Sequence, residues 1–191
     1  MSFASHAAQP GSTSLPASAP QTVRVWDPVV RIFHWGVAIA FLIACLTAEE
    51  LDGIHRATGY LIAALLAVRV VWGLIGTKYA RFIDFVRSPR TALEYLRQSR
   101  DGTAPRYLGH NPAGGLMAIA LMGLLGGICY TGYLMTTPQW WGSELMEGLH
   151  ETLVNGTIGL IVLHILGNLF SSIVHRENLT LSMITGRKRV Q

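Results

Sequence analysis

LMEGLHETLVNGTIGLIVLHILGNLFSSIV, residues 145–174, is thirty residues long, and its only formal charges are Glu147 and Glu151 near its start. About 20 apolar residues at 1.5 Å rise cross a hydrocarbon core of roughly 30 Å, so this segment is long enough to span a membrane as one helix. Two histidines interrupt it, His150 and His164, fourteen residues apart. That separation is about 21 Å along the axis and close to four full turns, so both imidazoles lie on one side of the helix at two depths. Ionisable side chains inside a bilayer are expensive and tend to mark function.

Working outward, three further apolar stretches precede it, at about 29–48, 54–76 and 112–136. Four in succession predict an all-α membrane protein, a four-transmembrane-helix bundle. The composition agrees: 14% of residues are charged and half are hydrophobic, against about 25% charged in a soluble domain. A disordered chain, a disulfide scaffold and a basic nucleic-acid binder are excluded. Cys45 and Cys129 both lie in apolar runs and fit no zinc or redox spacing. Residues 1–22, which hold no Lys, Arg, Asp or Glu, read as a flexible tail without the basic start of a secretory signal.

Charges are sorted by segment. Arg24 and Arg31 lie at the first span, seven Lys/Arg lie between Lys78 and Arg106, and four lie between Arg176 and Arg189. The other two loops carry Glu49, Glu50, Asp52, Glu144, Glu147 and Glu151, with Arg56 their only base. The positive-inside rule therefore places both termini and the 77–111 loop in the cytoplasm. Within that loop, residues 90–100 read as a basic amphipathic helix, fit either to lie on an anionic membrane surface or to serve as a solvated connector.

This topology pairs the histidines. His34, at the inward end of span one, meets His164; His55, at the outward end of span two, meets His150. Two bis-histidine pairs stacked across a bundle suit haem, whose iron takes axial nitrogens on both faces. No CxxCH attachment site is present, which points to non-covalent haem. His34, His55, His150 and His164 are thus the expected iron ligands. Gly59, one turn after His55, lets a porphyrin approach the backbone. Arg69, fourteen residues after His55, needs an anion at its depth, and an inner haem propionate is the expected partner, with Arg31 assisting. Snorkelling to the headgroups is the plainer alternative for both arginines. His110 reads as a surface-loop residue near a quinone or a propionate.

VWDPVVRIFHW (25–35), HRATGY (55–60), RVVWGLIGTKYARF (69–82), GHNPAGG (109–115) and the His150/His164 pair together resemble the bacterial cytochrome b561 and nickel-hydrogenase b-type subunit family. The resemblance covers about residues 23–187. It implies two b-type haems on the same four histidines and electron exchange with the membrane quinone pool at a bacterial inner membrane. The partner it implies is a periplasmic c-type cytochrome or a hydrogenase or reductase subunit; a homodimer stays open, beside membrane lipid and no nucleic acid. Two rivals stand beside it: a stand-alone quinone-reducing oxidase of a small outer-face reductant such as superoxide, and a haem-free carrier or assembly factor.

Overall fold

The computed structural model describes residues 22–190. Four long helices form the body: α1 (Pro28–Thr47), α2 (Asp52–Ile75), α5 (Pro112–Met135) and α6 (Glu144–Val174). All four are long and apolar enough to cross a membrane, within two residues of the expected spans. Two short helices, α3 (Phe82–Phe85) and α4 (Pro89–Arg100), occupy the connection from α2 to α5. After α6 comes α7 (Leu179–Thr185), and a two-stranded sheet joins β1 (Thr22–Arg24) to β2 (Arg187–Arg189).

Local chemistry sets the helix starts. Asp27 accepts from the Val30 amide at 3.0 Å and Asn111 from the Gly114 amide at 2.7 Å, each just before a proline that opens its helix. Proline is suited to that first position because its missing N–H would have no intrahelical partner there. Ser88, followed by Pro89, caps α4 in the same way, and Ser143 caps α6.

Helix α1 packs against α2 and α5 against α6, with α2 joining the two hairpins through α5. Between them lies a small core of Val37, Ala40, Phe41, Ile62, Leu66 and Leu125. Large apolar side chains such as Leu46, Leu74, Leu166 and Ile173 point outward, as the lipid-facing surface of a membrane bundle must.

One end of the bundle carries both described termini, and its organisation was not anticipated. β1 and β2 are antiparallel, Val23 opposite Lys188. The Gly186 carbonyl accepts from the amides of Val25 at 2.9 Å and Trp26 at 3.1 Å. Gly186 itself has φ of 78°, and an added Cβ would lie 2.7 Å from the Trp26 carbonyl oxygen, so glycine is required there. Only Thr22 of the expected tail lies among the described residues, and it belongs to β1. At the other end, β2 runs to Arg189.

Candidate functional site

His55 and His150 face each other near the end of the bundle opposite the termini, with ring centroids 6.2 Å apart. His55 Nδ1 lies 2.9 Å from the Ala44 carbonyl oxygen. A carbonyl only accepts, so Nδ1 carries the proton and Nε2 keeps its lone pair. His150 Nδ1 lies 3.0 Å from Thr131 Oγ1, whose own proton goes to the backbone carbonyls of Gly127 at 2.9 Å and Ile128 at 3.1 Å. The hydroxyl oxygen therefore accepts from His150, and again Nε2 is left as a donor to a metal. Gly132 makes room for the ring: a Cβ there would meet His150 Cε1 at 3.3 Å.

His34 and His164 form the second pair, with centroids 6.3 Å apart and planes inclined at 46°. Its surroundings differ. His34 Nδ1 is buried without a hydrogen-bond partner, and Asn168, one turn beyond His164, lies 3.0 Å from its Nε2. In this pair one ring is unpartnered and the other engages its Nε2 lone pair with the Asn168 amide, which would turn aside for a metal to bind there.

Both separations suit two imidazoles on opposite sides of one metal. Metal–nitrogen bonds of about 2 Å and about 1 Å from each nitrogen to its ring centre put the centroids about 6 Å apart. No cluster of three or more His, Cys, Asp or Glu side chains positioned to hold a metal occurs among the described residues. A bare ion usually takes three or four protein ligands, whereas haem brings its own four equatorial nitrogens and asks only for the axial two. The donor set therefore fits haem better than a free ion. Beside His55, a Cβ on Gly59 would meet nothing within 4 Å, as is true also of Gly123, Gly148 and Gly159.

The arginines are placed less simply. Arg69 is only 3% exposed; its guanidinium donates to the Ala80 carbonyl at 3.0 Å and lies over Phe82, 4.9 Å from the ring centroid. Its second terminal nitrogen is buried without a partner. Arg69 is thus packed inside the protein and does not snorkel. Arg31 donates to the Ile184 carbonyl and ties α1 to the end of α7.

His110 is half-buried, less open than the surface-loop position expected of it. Trp26 and Phe85 pack on its ring at centroid distances of 4.8 and 4.5 Å, and its Nδ1 is buried without a partner. Burial first, then the positive fields of Arg69 and Lys188, hold its pKa down to about 3. Nearby, Asp27 accepts from Trp72 Nε1 at 2.9 Å and Thr77 Oγ1 at 2.5 Å. Burial raises its carboxyl, but those bonds and the Val30 and Val29 amides outweigh it and hold the group below its ordinary value.

Thr131 and Asn168 were not singled out from the sequence. Asn168 had a usable signal, since it follows His164 by one helical turn. Thr131 is a threonine in an apolar span with nothing local to connect it to a histidine nineteen residues on.

The profile of the prokaryotic cytochrome b561 family matches residues 25–186. The chain belongs to this family. It is a b-type cytochrome by family and a multi-pass membrane protein by its four apolar helices. Curated relatives are probable Ni/Fe-hydrogenase B-type cytochrome subunits. That of Rhizobium leguminosarum bv. viciae is 34% identical over 48% of this chain and 50% of its own length. That of Bradyrhizobium diazoefficiens is 22% identical over 88% of this chain and 86% of its own. A third, from Azotobacter vinelandii, is 27% identical over 49% of this chain and 50% of its own. The chain therefore aligns with about half the length of the first and third of these. No solved structure matches.

Proposed function

We propose that this b561-family protein carries electrons between a redox partner at the acidic, periplasmic end of the bundle and the membrane quinone pool, with both termini cytoplasmic. One b-type haem is held by His55 and His150, and a second by His34 and His164. The observation that carries this reading is the pair of imidazole separations, 6.2 and 6.3 Å, at two depths of one bundle. Bound there, haem supplies one-electron redox chemistry, and the protein supplies ligation and environment.

The residues divide that work. Ala44 and Thr131 fix the tautomers of His55 and His150, so that each presents an unprotonated Nε2 to the metal. Gly59 leaves its backbone open near His55, and Gly132 admits the His150 ring. At the other pair, Arg69 offers an unpartnered guanidinium nitrogen for a propionate. The relatives' names make a hydrogenase the leading partner class, with a c-type cytochrome or another reductase subunit as the alternative.

The superoxide-oxidising reading gains no support from Arg56, the base closest in sequence to His55. Its guanidinium already faces a carboxylate, Asp52 at 2.9 Å, in an exposed pair. A haem-free carrier leaves two matched imidazole pairs without a role.

Haem extracted and counted per chain from detergent-purified protein tests the proposal, together with a reduced-minus-oxidised spectrum. Two b haems are expected, falling to one in His150→Ala and to one in His34→Ala. A colourless preparation from haem-replete cells overturns the reading.

A further inference from the structure

A cavity of about 360 Å³, lined by none of the four paired histidines, opens between the two ends of the α2–α5 connection, with Lys78, Tyr79, Phe85, Arg87, Arg106 and His110 in its wall. Its charges do not cancel. Asp84, also in its wall, accepts from Arg81 at 2.8 Å and is already compensated. Arg106 is paired with Glu177 at 2.9 Å. Arg87 reaches backbone carbonyls only, the best of them Asp84 at 3.0 Å, and Lys78 approaches no closer partner than the Tyr79 ring at 5.9 Å. Neither forms an ion pair among the described residues. Two positive charges are thus left facing a half-open, aromatic-walled cavity, and the Nε of Arg106 is buried without a partner beside it.

Position adds to chemistry. Lys78 follows the end of α2 at Ile75 by three residues, so the cavity sits where a spanning helix leaves the hydrocarbon. Helix α4, within the same connection, exposes Leu93 and Leu96 (51% and 53%) and carries Arg90, Arg97 and Arg100 on exposed positions. Such a helix is suited to lie in the plane of a membrane surface, with its leucines turned to the acyl boundary. Basic pockets between membrane helices at this level take anionic lipid headgroups.

We infer that the cavity bounded by Lys78, Arg87 and Arg106 is a binding site for a phosphate-bearing anion, presented by the headgroup of an anionic phospholipid. Lys78 and Arg87 supply the charge, and Tyr79 packs against the glycerol and upper acyl carbons. The site does not depend on what the histidine pairs hold.

The test uses the full-length chain in a zwitterionic detergent, with bound lipid counted by native mass spectrometry and thermal unfolding followed in parallel. Dioleoylphosphatidylglycerol is expected to bind at one saturable site and raise the unfolding midpoint, where dioleoylphosphatidylcholine does neither. Lys78→Gln with Arg87→Gln should weaken that binding about 30-fold, at roughly 1 kcal/mol per basic residue. Both side chains are exposed, and if the double variant nonetheless fails to fold, Lys78→Gln alone should weaken binding about fivefold. Millimolar inorganic phosphate separates the two sources. Displacement of the lipid by phosphate assigns recognition to the phosphate group alone, and retention of the lipid shows that the acyl region contributes; either agrees with the site. Equal binding of the two lipids, or unchanged phosphatidylglycerol binding in the variants, overturns it.

Discussion

Thr131 shows how much one hydroxyl can decide. It is 3% exposed, accepts from His150 Nδ1 and sends its own proton to the preceding turn of α5. Thr131→Val keeps the shape and removes the acceptor, leaving a buried N–H unpaired at a cost of about 1–3 kcal/mol. If haem sits where proposed, retention at the His55–His150 site should fall on the order of tenfold. Its midpoint potential should rise, because the ligand loses the acceptor that makes it a stronger electron donor; Thr131→Ser should restore both. Redox titration with haem counted per chain reads this. His110 gives a second residue-scale expectation. The unfolded chain takes up a proton near the ordinary 6.5, which the native chain refuses until about 3. Native stability therefore falls as pH drops from about 6.5 towards 3, and this contribution is constant above that window. Unfolding midpoints between pH 7.5 and 4.5 should decline less steeply in His110→Gln than in the parent chain. The four pairing histidines were legible in the sequence because each sits on a long helix whose period and direction place it. The aromatic packing on His110 was not, since Trp26 and Phe85 come from segments 84 and 25 residues away.

Among the elements, the four long helices were legible to within two residues. Apolar length marks them, and side-chain caps with proline mark the starts of α1 and α5. The β1–β2 sheet and α7 were not legible. Three-residue strands carry too little pattern, and RKR at 187–189 counts along the sequence only as positive charge. Its central residue is instead buried: Lys188 is 5% exposed and lies 3.5 Å from Glu177, which also accepts from Arg106 at 2.9 Å. Burial lowers the Lys188 pKa and Glu177 opposes that shift. Glu177→Gln leaves two cations with no carboxylate between them and should cost about 3 kcal/mol. The loss should appear first as proteolytic cleavage after Arg187 and Arg189 at temperatures where the helices still resist. Simultaneous loss of helices and sheet would show that the terminal lock is not a separate unit.

For the molecule as a whole, orientation is the property most open to test. With Cys45→Ser and Cys129→Ser as background, a cysteine replacing exposed Trp141 should react with a membrane-impermeant maleimide in intact spheroplasts. One replacing exposed Arg97 should react only in inverted vesicles. The opposite pattern would place the termini outside and reverse the proposed direction of partner docking. The sequence by itself determined the class of molecule, the four spans, the family and which histidines share a depth. Those follow from helix period, apolar length and local charge, all of which are written along the chain. Only the tertiary structure decided which groups hold the second nitrogen of His55 and His150, where Arg69 and Arg31 point, and that the two ends of the described chain pair with each other. Each of these is a contact between different segments, 11 residues apart for His55 with Ala44 and 153 for Arg31 with Ile184. Such contacts are set by how helices pack and cross, and no local pattern along the chain records that geometry.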